Sequence, residues 1–465
     1  MEATFTAGAK KLSETVKIRT VSNIDPTKTQ WDQFIQLHHL LEQLFPLVHR
    51  NMEKTVVNTY SLIFHWKSTT GGKGGSSSGA CKKPILFTAH MDVVPVEEGT
   101  GQDWKYGPFS GEIADGRVWG RGTLDTKIHM IAALEAAERL LAEGYAPERD
   151  VYFAFGHDEE VGGLEGAFQI AEHFKKMGVE FEFVLDEGGC VTDEIIPQVK
   201  RPLALIGVGE KGYANIRLTA SGDGGHSSMP PVHSALGMVS QAICRLERRR
   251  CKTRLIKPVK EFLQKTAPYM GGVNRLILSN LWLFKPVFLA VFSRTKSGSA
   301  MLRTTTAATM AEASTAPNVL PQKASAVINF RILPGETGQD LIRHIRKVTD
   351  GIPLELEPLV LDEPSRISST DTEGYVTIER LTKRLYPDAV VVPYIALAST
   401  DARKYEPVCR NIYRFTPYRI HNSEMGMMHG TNENISVENV DRCIEFFYLA
   451  IQGVLTRKKL DARRH

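Results

Sequence analysis

The chain has 465 residues, 42% of them hydrophobic, and a formal charge of +4 from 57 basic and 53 acidic side chains. That length exceeds what one core of ordinary size organises, so two domains are expected, and the interspersed charges exclude a nucleic-acid-binding arm. Six cysteines with no paired close spacing exclude a disulfide framework and a structural zinc knuckle.

Met1 to Lys17 carries charges and no apolar core, so neither a secretory signal nor a mitochondrial presequence is read there. The expectation is a cytoplasmic protein, or a secreted one if a leader precedes this sequence. The Gly- and Ser-rich segment Gly71 to Gly79 reads as a surface loop between two early strands. Ile85-Leu86-Phe87, Val151 to Phe155 and Phe183-Val184-Leu185 are short apolar runs ending at polar clusters, the pattern of buried strands. Between the first two, Ile128, Ile131, Leu134, Ala137 and Leu141 recur at helical spacing before Gly144 offers a stop. Strands alternating with helices predict an α/β fold with a mostly parallel sheet covered on both faces. In such sheets ligands gather at the carboxyl ends of the strands. His90, the pair Glu159 and Glu160, and Asp186 all stand just after these runs.

From Gly209 the pattern changes. Ala214 to Leu218 and Ala326 to Phe330 alternate with period two, which predicts a half-exposed antiparallel sheet. A second domain is therefore expected over 209–358, inserted into a first formed by 1–208 and 359–465. The chain should return to the main sheet at Val390-Val391-Val392 and finish on a helix near Val440 to Val454. The basic run Arg248 to Arg254 reads as a solvated helix end. The apolar stretch Leu276 to Phe292 is interrupted by Asn280, Lys285 and Pro286, so no membrane span is expected. It reads either as a cradle for an acyl chain or as core.

The chemistry-bearing segments come in a fixed order. His90-Met91-Asp92 offers an imidazole and a carboxylate able to orient it, although alone it is an ordinary polar strand end. Gly120 to Asp125 places an acid after flexible glycines, where Asp125 also reads as a helix N-cap. Asp158-Glu159-Glu160 sets three acids directly after an apolar strand, and their mutual repulsion calls for a cation. Asp186-Glu187-Gly188-Gly189 repeats strand, acids and glycines, and His429-Gly430-Thr431-Asn432-Glu433 supplies a second imidazole. Two metal ions sharing a carboxylate need about five nitrogen and oxygen ligands, and this set provides them.

Taken together, these segments resemble the co-catalytic zinc peptidase family of aminoacylases, carboxypeptidase G and carboxypeptidase S. The branch most alike is that of the N-fatty-acyl-amino acid hydrolases and yeast carboxypeptidase S, through Trp119 to Asp125, Gly156 to Glu160, Gly225-His226-Ser227-Ser228 and Thr400-Asp401-Ala402-Arg403. Thr126 departs from it, an acid being commoner there. The resemblance implies a phosphorylase/hydrolase-like zinc-peptidase domain with an inserted ferredoxin-like α+β lid through which two copies pair. It implies two Zn2+, with Co2+ or Mn2+ accepted by the same ligands. Asp125 would bridge them, His90 and Asp186 completing one shell and Glu160 and His429 the other, with Glu187 the rival of Asp186. Asp92 would orient His90, Glu159 would be the general base, and His226 the oxyanion donor. Asn318 would contact substrate backbone, and Arg331 or Arg403 would grip a free carboxylate. The implied reaction is hydrolysis, or the reverse condensation, of an N-acyl amino acid or short peptide with a free carboxylate. A Gly-Xaa dipeptidase and a non-catalytic acyl-amino acid carrier are the alternatives, and retention of Glu159 counts against the carrier.

Overall fold

A computed structural model describes residues 6–69, 82–196 and 198–453. The glycine-rich loop expected at Gly71 to Gly79 lies outside them. The chain forms two compact units, one of Met1–Val208, Ser368–Tyr394 and Thr400–His465, the other of Gly209–Ile367 with Ile395–Ser399. The boundary expected at Pro358 falls instead after Ile367, because strand Glu355–Asp362 pairs with Gly212–Ser221 and so completes the smaller sheet.

In the first unit, Ile85–His90 runs parallel to both Val151–Gly156 and Phe183–Asp186, and Ile412–Arg414 continues the parallel series. This is the centre of the expected mostly parallel sheet, and antiparallel strands flank it, Ser61–Trp66 on one side and Leu203–Glu210 on the other. Successive strand residues point to opposite faces, which divides the apolar runs between two cores. Leu86, Tyr152, Ala154 and Val184 pack with Ala167, Ile170 and Phe174 of helix Ala167–Lys176 and with Ala402 and Tyr405. Phe87 and Phe153 face the other way, where Phe87 meets Phe447 of the last helix, Val437–Gly453, ring edge to face.

Helix Lys127–Ala142 is buried at every position from Lys127 to Ala137, more than the one-sided stripe read from the sequence. It lies beneath the sheet, with Val437–Gly453 and Ala7–Val16 packed on it, so its first three turns are shut off from water and only its last turn, at Arg139 and Ala142, reaches it. The helix stops where Gly144 takes a φ of +72°.

In the second unit the main sheet and the two helices packed on it follow the order strand, helix, two strands, helix, strand, with further helices between the first helix and the second strand. Its sheet order, Thr305–Glu312, Lys323–Ile332, Gly212–Ser221, Glu355–Asp362, is that of a ferredoxin-like fold. Ala214, Ile216 and Leu218 point inward against Val239 and Leu246 of helix Ala235–Arg248 and Leu341 and Ile345 of Gly338–Val348. Asn215 and Arg217 alternate outward. The stretch Leu276 to Phe292 is not core. It forms helices Gly272–Ser279 and Leu281–Phe292, in which only Leu278 and Leu281 are buried.

Candidate active site

The site grows from the carboxyl ends of the central strands. His90 is the last residue of its strand and is buried. Its Nδ1 lies 3.0 Å from the backbone oxygen of Asp92, and its Nε2 lies 3.1 Å from Oδ1 of Asp125. Burial alone would push the imidazole down, but the hydrogen bonds to Asp125 and Asp92 hold it well above its ordinary range. Asp92 is completely buried. It accepts the Ser22 hydroxyl at 2.6 Å and the backbone N–H groups of Glu159 and Glu160, both at 3.2 Å. One carboxylate thus ties the His90 segment to the turn that carries the adjacent acids. Burial opposes its charge, yet the His90 contact keeps its carboxyl below the usual range.

The three adjacent acids divide their work. Asp158 turns away to accept the N–H groups of Glu165 and Gly166 at 2.8 Å each, which closes the loop. Glu160 points to His429, Oε2 to Nε2 3.4 Å. Glu159 has its Oε2 4.0 Å from His90 Nε2. Gly163 has a φ of +66°, and a Cβ there would stand 1.9 Å from Oδ1 of Asp401, so no other residue lets the loop close.

Asp125 lies between two imidazoles, its Oδ2 being 2.8 Å from Nε2 of His429. Burial raises its carboxyl, but the bonds to His429 and His90 override this and hold it far below the usual range. Three groups of donor atoms lie within 4.8 Å of one another: His90, Asp125 and Glu187; Asp125, Glu160 and His429; His90, Glu159 and Glu160. The first two share Asp125. Asp186 belongs to none of them, whereas Glu187, its expected rival, stands in the first. Asp186 is the last residue inside the strand, in register with Arg414, whereas Glu187 is the first residue free of that ladder.

A cation fits this donor set on electrostatic grounds as well. Burial first, and then neighbouring carboxylates, push Glu159, Glu187 and Asp401 well above the usual carboxylate range. So dense a group of buried acids is stabilised by a positive ion. Oε1 of Glu160 and Oδ2 of Asp401 are buried without a hydrogen-bond partner among the described residues.

Two supporting residues have no role in the sequence reading. Glu433, fully buried, accepts the N–H groups of Gly122, Leu124 and Asp125 at 3.0, 2.8 and 3.2 Å through Oε1. Through Oε2 it pairs with Arg121 at 2.6 Å, and Arg121 reaches the backbone oxygen of His429 at 3.0 Å. This pair fixes both the turn bearing Asp125 and the loop bearing His429. The signal was present, since Glu433 closes the segment that His429 opens.

The remaining expected residues fall in both units. Arg403, half-buried on the turn Asp401–Tyr405, is in the first. His226, Asn318 and Arg331 are in the second. His226 pairs with Val319 on a two-stranded ribbon, and Ser227 N–H donates to Asn318 O at 3.1 Å, so His226 and Asn318 are neighbours. Ser228 N–H donates to His226 Nδ1 at 3.2 Å, which leaves the ring proton of the neutral imidazole on exposed Nε2. Arg331 stacks on Tyr213, 4.6 Å to the ring centre, and lines a pocket of about 380 Å³ with Lys211, Thr305 and Leu397.

A strand-end cluster of imidazoles and carboxylates around a shared aspartate, on a parallel sheet with a ferredoxin-like insertion, defines a metallopeptidase-type hydrolase. Residues 86–453 match Peptidase family M20/M25/M40, and the chain belongs to that family. It is 36% identical over 454 residues to a probable carboxypeptidase S-like 2 of Dictyostelium discoideum, covering 96% of this chain and 84% of that protein. It is 33% identical over 460 residues to the N-fatty-acyl-amino acid synthase/hydrolase PM20D1 of Homo sapiens, covering 98% and 89%. Among solved structures, an M20 family metallo-carboxypeptidase of Sulfolobus solfataricus superposes with a TM-score of 0.69 at 19% identity, covering 96% of this chain and 98% of that one. Human carnosine dipeptidase 1 gives 0.63 at 13% identity, covering 96% of each chain.

Proposed function

We propose that the protein hydrolyses the amide bond of N-fatty-acyl amino acids, and catalyses the reverse condensation, at a site whose two donor groups, sharing Asp125, would hold two zinc ions. The carrying observation is that Asp125 belongs to two of the three donor groups, with His90 and Glu187 on one side and Glu160 and His429 on the other. Co2+ or Mn2+ suits the same nitrogen and oxygen donors. Bound ions would supply a field that acidifies water and polarises the amide carbonyl. Glu159 takes the proton of the attacking water and delivers it to the leaving nitrogen, a shuttle suited to a buried carboxylate with its proton affinity raised. Asp92 holds the Glu159 backbone and the His90 ring in place for this. The Nε2–H of His226 is the donor for the oxyanion, and Arg331 or Arg403 receives the substrate carboxylate. In this reading the second unit is a lid that also pairs two copies. The fatty-acyl preference rests on the relatives that bear that name.

The test joins a variant to a substrate panel. Glu159→Gln is expected to keep its metal by elemental analysis while turnover falls about 10²- to 10⁴-fold; undiminished turnover overturns the assignment of the base. Metal-replete enzyme given N-oleoyl-phenylalanine, N-acetyl-phenylalanine and Gly-Leu should prefer the oleoyl compound, and cleavage of Gly-Leu alone rejects the substrate class.

A further inference from the structure

Helices Gly272–Ser279 and Leu281–Phe292 carry none of the site residues described above, and much of their apolar surface faces water. They form a pair bent by 118°. Trp282 is 81% exposed, and Val273, Leu276, Leu283, Val287 and Val291 are each more than half exposed. At about 100° per residue, Trp282, Pro286, Ala290, Leu283, Val287 and Val291 fill one continuous half of the second helix. Half-buried Phe284, Phe288 and Phe292 lie on the other half, where Phe288 and Phe292 stack at 5.0 Å. The exposed half is therefore apolar from end to end, which an ordinary water-facing helix is not.

Charge indicates what covers it. No acid occurs between Glu261 and Glu312, whereas Arg275, Lys285, Arg294 and Lys296 do, all exposed. None of the four has a carboxylate partner among the described residues. Apolar side chains framed by bases complement an anionic phospholipid surface. Neither helix alone is long enough to cross one, since twelve residues rise about 18 Å against a hydrocarbon core of about 30 Å, and although the pair together has the length and composition of a span, its 118° bend keeps the two from forming a straight one. No single helix among the described residues is long and apolar enough to do so.

We propose that this bent helix pair seats the protein on an anionic phospholipid bilayer, with Trp282, Leu283, Val287 and Val291 in the acyl boundary and the four bases at the headgroups. The proposal is independent of the substrate assignment. Where that assignment holds, the bilayer is also where a fatty-acyl substrate would be met.

The experiment is sedimentation of the full-length protein with sucrose-loaded vesicles, of phosphatidylcholine alone or with phosphatidylserine added. Phosphatidylserine is expected to raise bound protein at least about tenfold, given four bases near the surface. The variant W282S/L283S/V287S should lose binding to both vesicle types. R275Q/K285Q/R294Q/K296Q should lose only the phosphatidylserine preference. Circular dichroism checks that the variants fold. Wild-type protein offers a second reading, quenching of tryptophan emission by brominated phosphatidylcholine, which Trp282→Phe should diminish. Failure of the wild type to sediment or quench overturns the proposal, as does unchanged binding by the serine variant. A concentration-dependent dimer broken by the serine substitutions, with no vesicle binding, overturns it in favour of a contact between copies.

Discussion

Replacing Glu433 by Gln tests whether the site is held from behind. The carboxylate is fully buried, pairs with Arg121 at 2.6 Å, and receives three backbone N–H groups of the Asp125 turn. Glutamine keeps an acceptor for those N–H groups but turns an N–H₂ toward Arg121, leaving a buried guanidinium unpaired. Breaking one partner of such a pair costs about 3–5 kcal/mol. The same change loosens the turn that places Asp125 and the loop that places His429, and loss of a supporting partner of this kind lowers metal affinity about 10- to 100-fold. Urea unfolding and zinc competition with a chromophoric chelator measure the two effects. A second variant separates them. Arg121→Met with Glu433→Leu removes both charges, so much of the stability should return, while zinc affinity stays low because the N–H groups of Gly122, Leu124 and Asp125 have lost their acceptor. Recovery of zinc affinity in the double variant, or an unchanged urea midpoint in Glu433→Gln, would refute the positioning role.

Glu187→Gln should lower bound metal to about half in elemental analysis, whereas Asp186→Asn should leave it nearly full; the reverse outcome would identify Asp186 as the ligand. Asp92→Asn should reduce kcat about 10- to 100-fold with KM little changed, since Asp92 orients His90 and the Glu159 turn without reaching substrate; a change confined to KM would contradict this. Burial lowers the Lys211 ammonium to about 8, below its ordinary value of 10.5. The folded protein thus gives up this proton at lower pH than the unfolded chain. Its stability should rise with pH between those two values, by at most about 3 kcal/mol, and Lys211→Met should flatten that rise in urea titrations taken across the interval.

The parts of this protein legible in its sequence are those set by local pattern. Apolar runs of strand length, each ending in acids or an imidazole, placed His90, Glu159 and Glu160 at one sheet edge because side-chain alternation and parallel pairing leave little choice. The alternation of Ala214, Ile216 and Leu218 announced the second sheet in the same way. What stayed hidden depended on where a ladder ends or on partners far along the chain. Adjacent Asp186 and Glu187 are equally good ligands by residue type, and only the register with Arg414 shows that the strand stops between them. Arg121 and Glu433 stand 312 residues apart, and nothing local announces their pairing. Asp401 sat in a segment valued for Arg403, yet it is Asp401 that packs against Gly163 beneath the acid turn. Hydropathy marked Leu276 to Phe292 as apolar without saying what it faces, because burial belongs to the fold and not to the segment. The same reasoning explains why Glu433 is an acid at all. Three backbone N–H groups converge in a dry turn and need an acceptor, and the buried Arg121 guanidinium beside them needs a carboxylate, a joint demand that Glu433 meets from far along the chain.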